Sequence, residues 1–184
     1  MVISSKEEIR AELQIPENIK AEILDNVIIV EGRLGKLKKN IMRIPVVVLV
    51  QDKKIVIRPY GRRKKDLAIT NTVRSIIRNM LTGVEKGFTY RLKIVSDHFP
   101  MSVKLRGDKV NIENYFGERS PRTSQIVGEA TKVTVVGEDV LVQGPSLEDV
   151  SQTAANIELS TKMKGKDQRV FLDGLYIYSK ERGI

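Results

Sequence analysis

One order of local patterns occurs twice in this chain, about 85 residues apart. Residues 19–31 read IKAEILDNVIIVE, two alternating runs joined by Asp25-Asn26, a pair that tolerates positive φ in a tight hairpin turn. Residues 46–59 read VVVLVQDKKIVIRP, a second hairpin turning over residues 51–54. A helix is predicted next, with Asp66 as its cap and Gly83 at its stop. Its apolar stripe is Ile69, Val73, Ile76, Ile77, Met80 and Val84, at steps of three and four, while Thr70, Arg74 and Arg78 fall on another face. The order then returns. Residues 101–114, MSVKLRGDKVNIEN, turn at Gly107-Asp108, and residues 131–145, TKVTVVGEDVLVQGP, turn over 137–139. Ser146, with Asp149 three residues on, makes a capping box for a helix whose buried face is Leu147, Val150, Ala154 and Ile157. Pro145 lies 86 positions after Pro59 but Asp149 only 83 after Asp66, because the second copy has the shorter loop before its helix.

A repeat of this length exceeds any solenoid unit and predicts a duplicated domain. Each copy reads as two hairpins in a mostly antiparallel sheet with one helix packed on it. The fold class is therefore α+β, in two similar tandem domains at residues 1–86 and 87–184. Residues 88–95, FTYRLKIV, open the second domain as a strand, and residues 170–178, with Phe171, Tyr176 and Tyr178, give its last strand-like piece. A chain of 184 residues suits one large or two small domains, and 41% hydrophobic residues suffice for a core.

Several chemistries lack their residues. With no cysteine there is no disulfide, thiolate nucleophile, zinc finger or iron–sulfur cluster. His98 is the sole imidazole, in Asp97-His98-Phe99-Pro100 just after a strand, where a structural hydrogen bond outweighs catalysis. The acid pairs Glu138-Asp139 and Glu148-Asp149 fall at a turn and in a first helical turn, positions that explain them without acid–base work. The stretch from Gly32 to Lys36 lacks the spacing of a phosphate loop. No catalytic residue, metal or cofactor is expected. The longest apolar run, residues 44–50, is too short to cross a bilayer, and the opening MVISSKEEIR is acidic where a signal peptide is basic. A soluble, intracellular protein is expected.

Charge is concentrated. The chain carries 32 Lys+Arg against 23 Asp+Glu, for a net charge of +9. Residues 33–65 alone hold twelve bases and one acid, whereas residues 1–32 stand at −4 and residues 101–160 at −3. Local basic patches of this kind point to an anionic partner, nucleic acid before a membrane surface. Three segments are candidates. Arg62, Arg63, Lys64 and Lys65 occupy a loop that opens the first helix, able to reach phosphates. Residues 114–122, NYFGERSPR, mix Tyr115 and Phe116 with Gly117, Arg119 and Arg122, suited to backbone contact or to stacking on an unpaired base. The tail segment with Lys162, Lys164, Lys166, Gln168 and Arg169 reads as a flexible basic arm. Separated loops, with no recognition helix or basic zipper, favour folded RNA over duplex DNA. The alternative is an adaptor whose basic loops dock an acidic protein.

Ordered motifs narrow the choice. Ile15-Pro16-Glu17-Asn18-Ile19-Lys20 and the run VEGRLGKL at 30–37 resemble the IPEGVKV-like opening and GPxGxL-like turn of the universal large-subunit ribosomal protein family called L-six in bacteria. GFTYR at 87–91 looks like that family's entry to its second domain, and Gly144 with Val150, Gln152, Ala154, Ala155 and Ile157 like its second helix. HFP at 98–100, NYFGE at 114–118 and KDQR at 166–169 running into FLDG resemble the archaeal and eukaryotic branch. The resemblance implies a duplicated α+β protein of the ribosome in the cytoplasm. It further implies binding of large-subunit ribosomal RNA near the sarcin–ricin loop, with neighbouring ribosomal proteins as partners and the translation-factor site nearby. By position it favours residues 117–122 and 162–169 as RNA-facing; Arg62, Arg63, Lys64 and Lys65 rest on charge. The bacterial YKGKGIRY-like tail is replaced by KGKDQRVFLDG, so bacterial tail contacts do not carry over.

Overall fold

A computed structural model describes residues 10–51, 53–167 and 169–184, in two compact units, Met1–Glu85 and Lys86–Ile184. The first runs β1 (Ala11–Gln14), β2 (Lys20–Leu24), β3 (Val27–Gly32), β4 (Gly35–Asn40), β5 (Val46–Gln51), β6 (Lys54–Pro59) and α1 (Lys64–Glu85). The second runs β7 (Phe88–Val95), β8 (Ser102–Arg106), β9 (Lys109–Glu113), a 3-10 turn at Tyr115–Gly117, β10 (Arg122–Gln125), β11 (Lys132–Val136), β12 (Asp139–Gly144), α2 (Leu147–Ser160) and β13 (Gly174–Arg182). The duplication expected from the repeat is an α+β architecture in both units.

In each unit the antiparallel strands are parted into two small sheets. Unit one has the orders β1-β6-β5 and β2-β3-β4; unit two has β11-β12-β7-β13 and β10-β9-β8. Equivalent strands take equivalent places, and β13 is an addition on the free side of β7. Asp25 and Asn26 both have positive φ (47° and 63°), which matches the right-handed twist of β2 and β3 in a two-residue turn.

The cores follow from alternation. Ile28, Val30, Ile55 and Ile57 point at α1, which returns Val73, Ile77, Leu81 and Val84. In the second unit Leu92, Val140, Val142, Val110 and Ile112 meet Val150, Ala154 and Ile157 of α2. Burial of each such valine, leucine or isoleucine contributes about 1.5–3 kcal/mol.

Some local expectations are corrected. Asp66 is not the cap: α1 begins at Lys64, and Asp66 Oδ2 reaches back to accept the Arg63 N–H at 2.8 Å. Lys64 and Lys65 are thus first-turn residues of a helix, not loop residues. Gly83 does not stop the helix; it is buried within it. Thr70 faces the core rather than the Arg74 side, its hydroxyl donating to the Asp66 carbonyl at 2.8 Å. The last strand starts at Gly174, not Val170, because residues before it turn to pack their aromatic side chain elsewhere. Strands β1, β4 and β10, which the hydrophobic pattern does not announce, supply the third strand of their sheets.

Candidate nucleic-acid interface

Three stretches of the second unit converge on one corner: the loop after β7, the turn after β9, and the segment between α2 and β13. Asp173 ties them. Its Oδ1 accepts the backbone N–H groups of Asp97 and His98, both at 2.9 Å, and its Oδ2 accepts from His98 Nδ1 at 2.6 Å. Burial pushes this carboxyl up, but the hydrogen bonds from His98 and Asp97 outweigh it and hold the group below its ordinary value. His98 therefore serves as the structural hydrogen-bonding residue that its sequence context suggests.

Around that anchor lies an aromatic cluster. The His98 ring sits 5.0 Å from Phe171 and 6.2 Å from Phe116, and Phe116 lies 5.9 Å from Phe171 and 4.9 Å from Tyr115. Phe116 holds φ at 51°, a left-handed conformation unusual for a bulky residue, and Gly117 follows at 71°. A Cβ on Gly117 would meet the Phe99 ring at an ordinary contact distance of 3.4 Å, so it is the positive φ that favours glycine there.

The candidate cations divide into two groups here. Arg122 is committed to the fold. It donates to Glu118 at 2.6 and 2.9 Å and to the Ser160 carbonyl at 2.9 Å, and its guanidinium lies 4.0 Å from the centre of the Tyr115 ring. The hydrogen bond with Glu118 raises the Arg122 pKa and lowers that of Glu118. Tyr115 is itself buried, donating its hydroxyl to the Thr161 carbonyl at 2.7 Å, so it belongs to the core and not to a stacking surface. Lys166 is partly committed: its ammonium sits 4.6 Å from the centre of Phe171 and 4.9 Å from that of Phe116.

Arg119, Lys162, Lys164 and Arg169 are exposed, and none has a carboxylate partner among the described residues. They belong to the chain stretches that Asp173 and the rings hold together. The basic arm is thus pinned through Lys166 rather than free along its length. Gln168 lies outside the described residues. Arg62, Arg63, Lys64 and Lys65 are exposed in the other unit, where they form a second patch. The sequence pointed to Lys166 as a phosphate ligand and did not mark its seat on two rings. The interleaving of Phe116 and Phe171 with lysines is the signal for that seat, but it needs the chain reversal made at Asp173.

Among the described residues no group of three or more His, Asp or Glu side chains could hold a metal ion, and no helix is long and apolar enough to cross a membrane. The model of the family described as Ribosomal protein L6 matches this chain over residues 15–87 and 99–174. A large ribosomal subunit protein uL6 of Staphylothermus marinus is 44% identical over 170 residues, covering 91% of this chain and 92% of that protein. Its counterpart in Methanobrevibacter smithii is 44% identical over 173 residues (94% and 97%), and that in Saccharolobus solfataricus 42% over 174 (94% and 96%). The two matched stretches fall one in each unit of the duplicated fold, and the relatives are archaeal, so by both motif and architecture the chain belongs to the ribosomal protein L6 family.

Proposed function

We propose that the chain is a structural constituent of the large ribosomal subunit that holds ribosomal RNA by its exposed cations. The family supplies the subunit and a structural, non-enzymatic role. The supporting observation within the molecule is the corner of the second unit, whose stretches carry a fixed aromatic cluster and the exposed Arg119, Lys162, Lys164 and Arg169, none with a carboxylate partner among the described residues. Cations held on a rigid frame replace counterions on a folded RNA and fix the relative positions of its segments. The halves 1–86 and 87–184 act as two contact modules. Gly117 and Lys166 join the corner's surface, Gln168 is assigned to the contact from the sequence alone, Arg122 supports the corner from within the fold, and Arg62, Arg63, Lys64 and Lys65 form a lesser contact in the first half. The finer reading places the corner near the sarcin–ricin loop, beside the site where translation factors dock, with other large-subunit proteins as neighbours.

Sedimentation of a native extract at low and high salt tests the assembly. Co-migration with the large subunit, lost only at high salt, is expected, and Arg119→Ala with Arg169→Ala should lower the salt at which the chain is released. For about six neutralised phosphates, log affinity should fall against log salt with a slope of the order of −4 to −5. The chain has no cysteine, so Ser120→Cys gives a unique attachment point for an iron chelate. Radical cleavage of the RNA should fall around the sarcin–ricin loop. Cleavage confined to other regions would reject that placement while leaving the ribosomal role intact.

A further inference from the structure

We propose that a groove on the first unit, beside Tyr60, takes one unpaired nucleotide of RNA, its base against the Tyr60 ring and its phosphate between Arg58 and Arg62. The proposal rests on the RNA-binding reading above and gives the first unit a defined contact of its own.

The groove exists because the two copies differ there. In the second unit α2 begins two residues after Pro145; in the first, α1 begins five residues after Pro59. The three additional residues are Tyr60, Gly61 and Arg62, and all three line a groove of about 370 Å³ together with Val47, Leu49 and Arg58. Along β6, Ile55 and Ile57 face the helix, so Arg58 lies on the opposite face of the sheet, beside Val47 of β5. The groove is therefore open on the side that α1 does not cover.

Two of its features lack a role within the fold. Arg58 lines the groove, and its Nε is buried and donates to nothing among the described residues, so a phosphate satisfies that nitrogen once the side chain turns outward. A buried donor without an acceptor is costly, and few persist in folded proteins. Tyr60 is 76% exposed, the most exposed large hydrophobic side chain described. Arg58, Arg62, Arg63, Lys64 and Lys65 outnumber the one acid beside the groove, Asp66, whose carboxylate lies against Gly61 and accepts the Arg63 N–H, so the net local charge draws a polyanion.

A nucleotide matches both halves of this surface. Its phosphate oxygens satisfy Arg58 and Arg62, and its base covers Tyr60 and the apolar wall of Val47 and Leu49. An acidic peptide side chain would satisfy the guanidinium groups but leave the ring and the wall in water.

Titration of the full chain with hexa-adenylate, followed by NMR on the arginine Nε–H and tyrosine ring signals, tests this. The Arg58 Nε–H should shift and the Tyr60 ring protons should move upfield, as stacking requires. Tyr60→Ala should weaken hexa-adenylate binding about tenfold, and Tyr60→Phe should restore it. Inorganic phosphate should move the Arg58 and Arg62 signals and leave the Tyr60 ring signals in place. Unmoved Tyr60 signals, or unchanged affinity in Tyr60→Ala, would overturn the proposal. So would hexaglutamate moving both signals as hexa-adenylate does, since the groove would then be a peptide site. The Arg119→Ala, Arg169→Ala chain should keep the Tyr60 response, so this proposal and the corner reading fail separately.

Discussion

The two units lay the same six strands and one helix in the same order, yet they begin that helix with opposite charge. α2 starts with Ser146 accepting the Asp149 N–H and carries Glu148 and Asp149 in its first turn, where acids favour the positive end of the helix dipole. α1 starts with Lys64 and Lys65, which oppose that dipole, and Asp66 alone compensates through the Arg63 N–H. What both copies keep is the arrangement of strands and the buried face of the helix. What differs is the approach to it: three more residues, four consecutive bases and an open groove in the first unit. A scaffold used twice has put its differences in loops and helix ends, where a change costs little packing.

The comparison is sharpened first at the shared core. Ile77→Ala in α1 and Ile157→Ala in α2 remove side chains with no exposure. Each should destabilise by about 2–5 kcal/mol in urea denaturation. A loss below 1 kcal/mol in either would break the equivalence of the two helices, a threshold set by the lower end of core truncations.

Next in size is Asp173, the only buried acid among the described residues, for which the first unit has no counterpart. Asp173→Ala leaves the N–H groups of Asp97 and His98 without their acceptor and should cost about 1–3 kcal/mol. The native carboxyl titrates below its unfolded value, so its contribution is complete at neutral pH. That contribution is lost as the pH falls through the ordinary carboxylate range and below. Melting curves at stepwise lower pH should show this loss, and Asp173→Asn should flatten it.

A smaller contrast lies at the seventh residue of each helix, a buried threonine in both, Thr70 and Thr153. Thr153 Oγ1 accepts the Val127 N–H at 2.9 Å and donates to the Val127 carbonyl, whereas Thr70 bonds only within its own helix. Thr153→Val should therefore cost about 1–2 kcal/mol and Thr70→Val less than about 0.5. Equal costs in calorimetry would erase the distinction. The smallest effect carries the opposite sign. Lys64→Glu and Lys65→Glu should each stabilise the first unit by about 0.3–1 kcal/mol while weakening RNA binding, so stability and affinity should move apart.

The repeat, the four hairpins and both helices were legible in the sequence because their apolar residues alternate or recur at helical spacing. The missed strands are those that cannot show that pattern. β4 reads GKLKKN, with Leu37 its single apolar side chain among lysines suited to a sheet edge, and β10 reads RTSQ. β1 has four residues. The candidate site was legible as charge and aromatics in the same stretches. Which of those residues stay free was not, because it depends on contacts distant in sequence: Arg122 is taken up by the Ser160 carbonyl, 38 residues on, and Tyr115 by Thr161, 46 residues on. Tyr60 was passed over because its exposure and the groove beside it arise only when β5 and β6 pair, although the longer loop that holds it was legible.

The strand β13 has a consequence for the way the chain is made. Thr89, near the start of β7, donates to the Gly183 carbonyl at 2.6 Å across 94 residues. At ordinary rates of synthesis β7 therefore waits roughly 5–20 s for its outer neighbour. In the first unit β1 waits about half as long for its neighbour β6, since Ala11 pairs with Ile57. Throughout that interval the nascent second unit presents β7 as an unpaired strand edge, a template on which another chain can pair until β13 covers it.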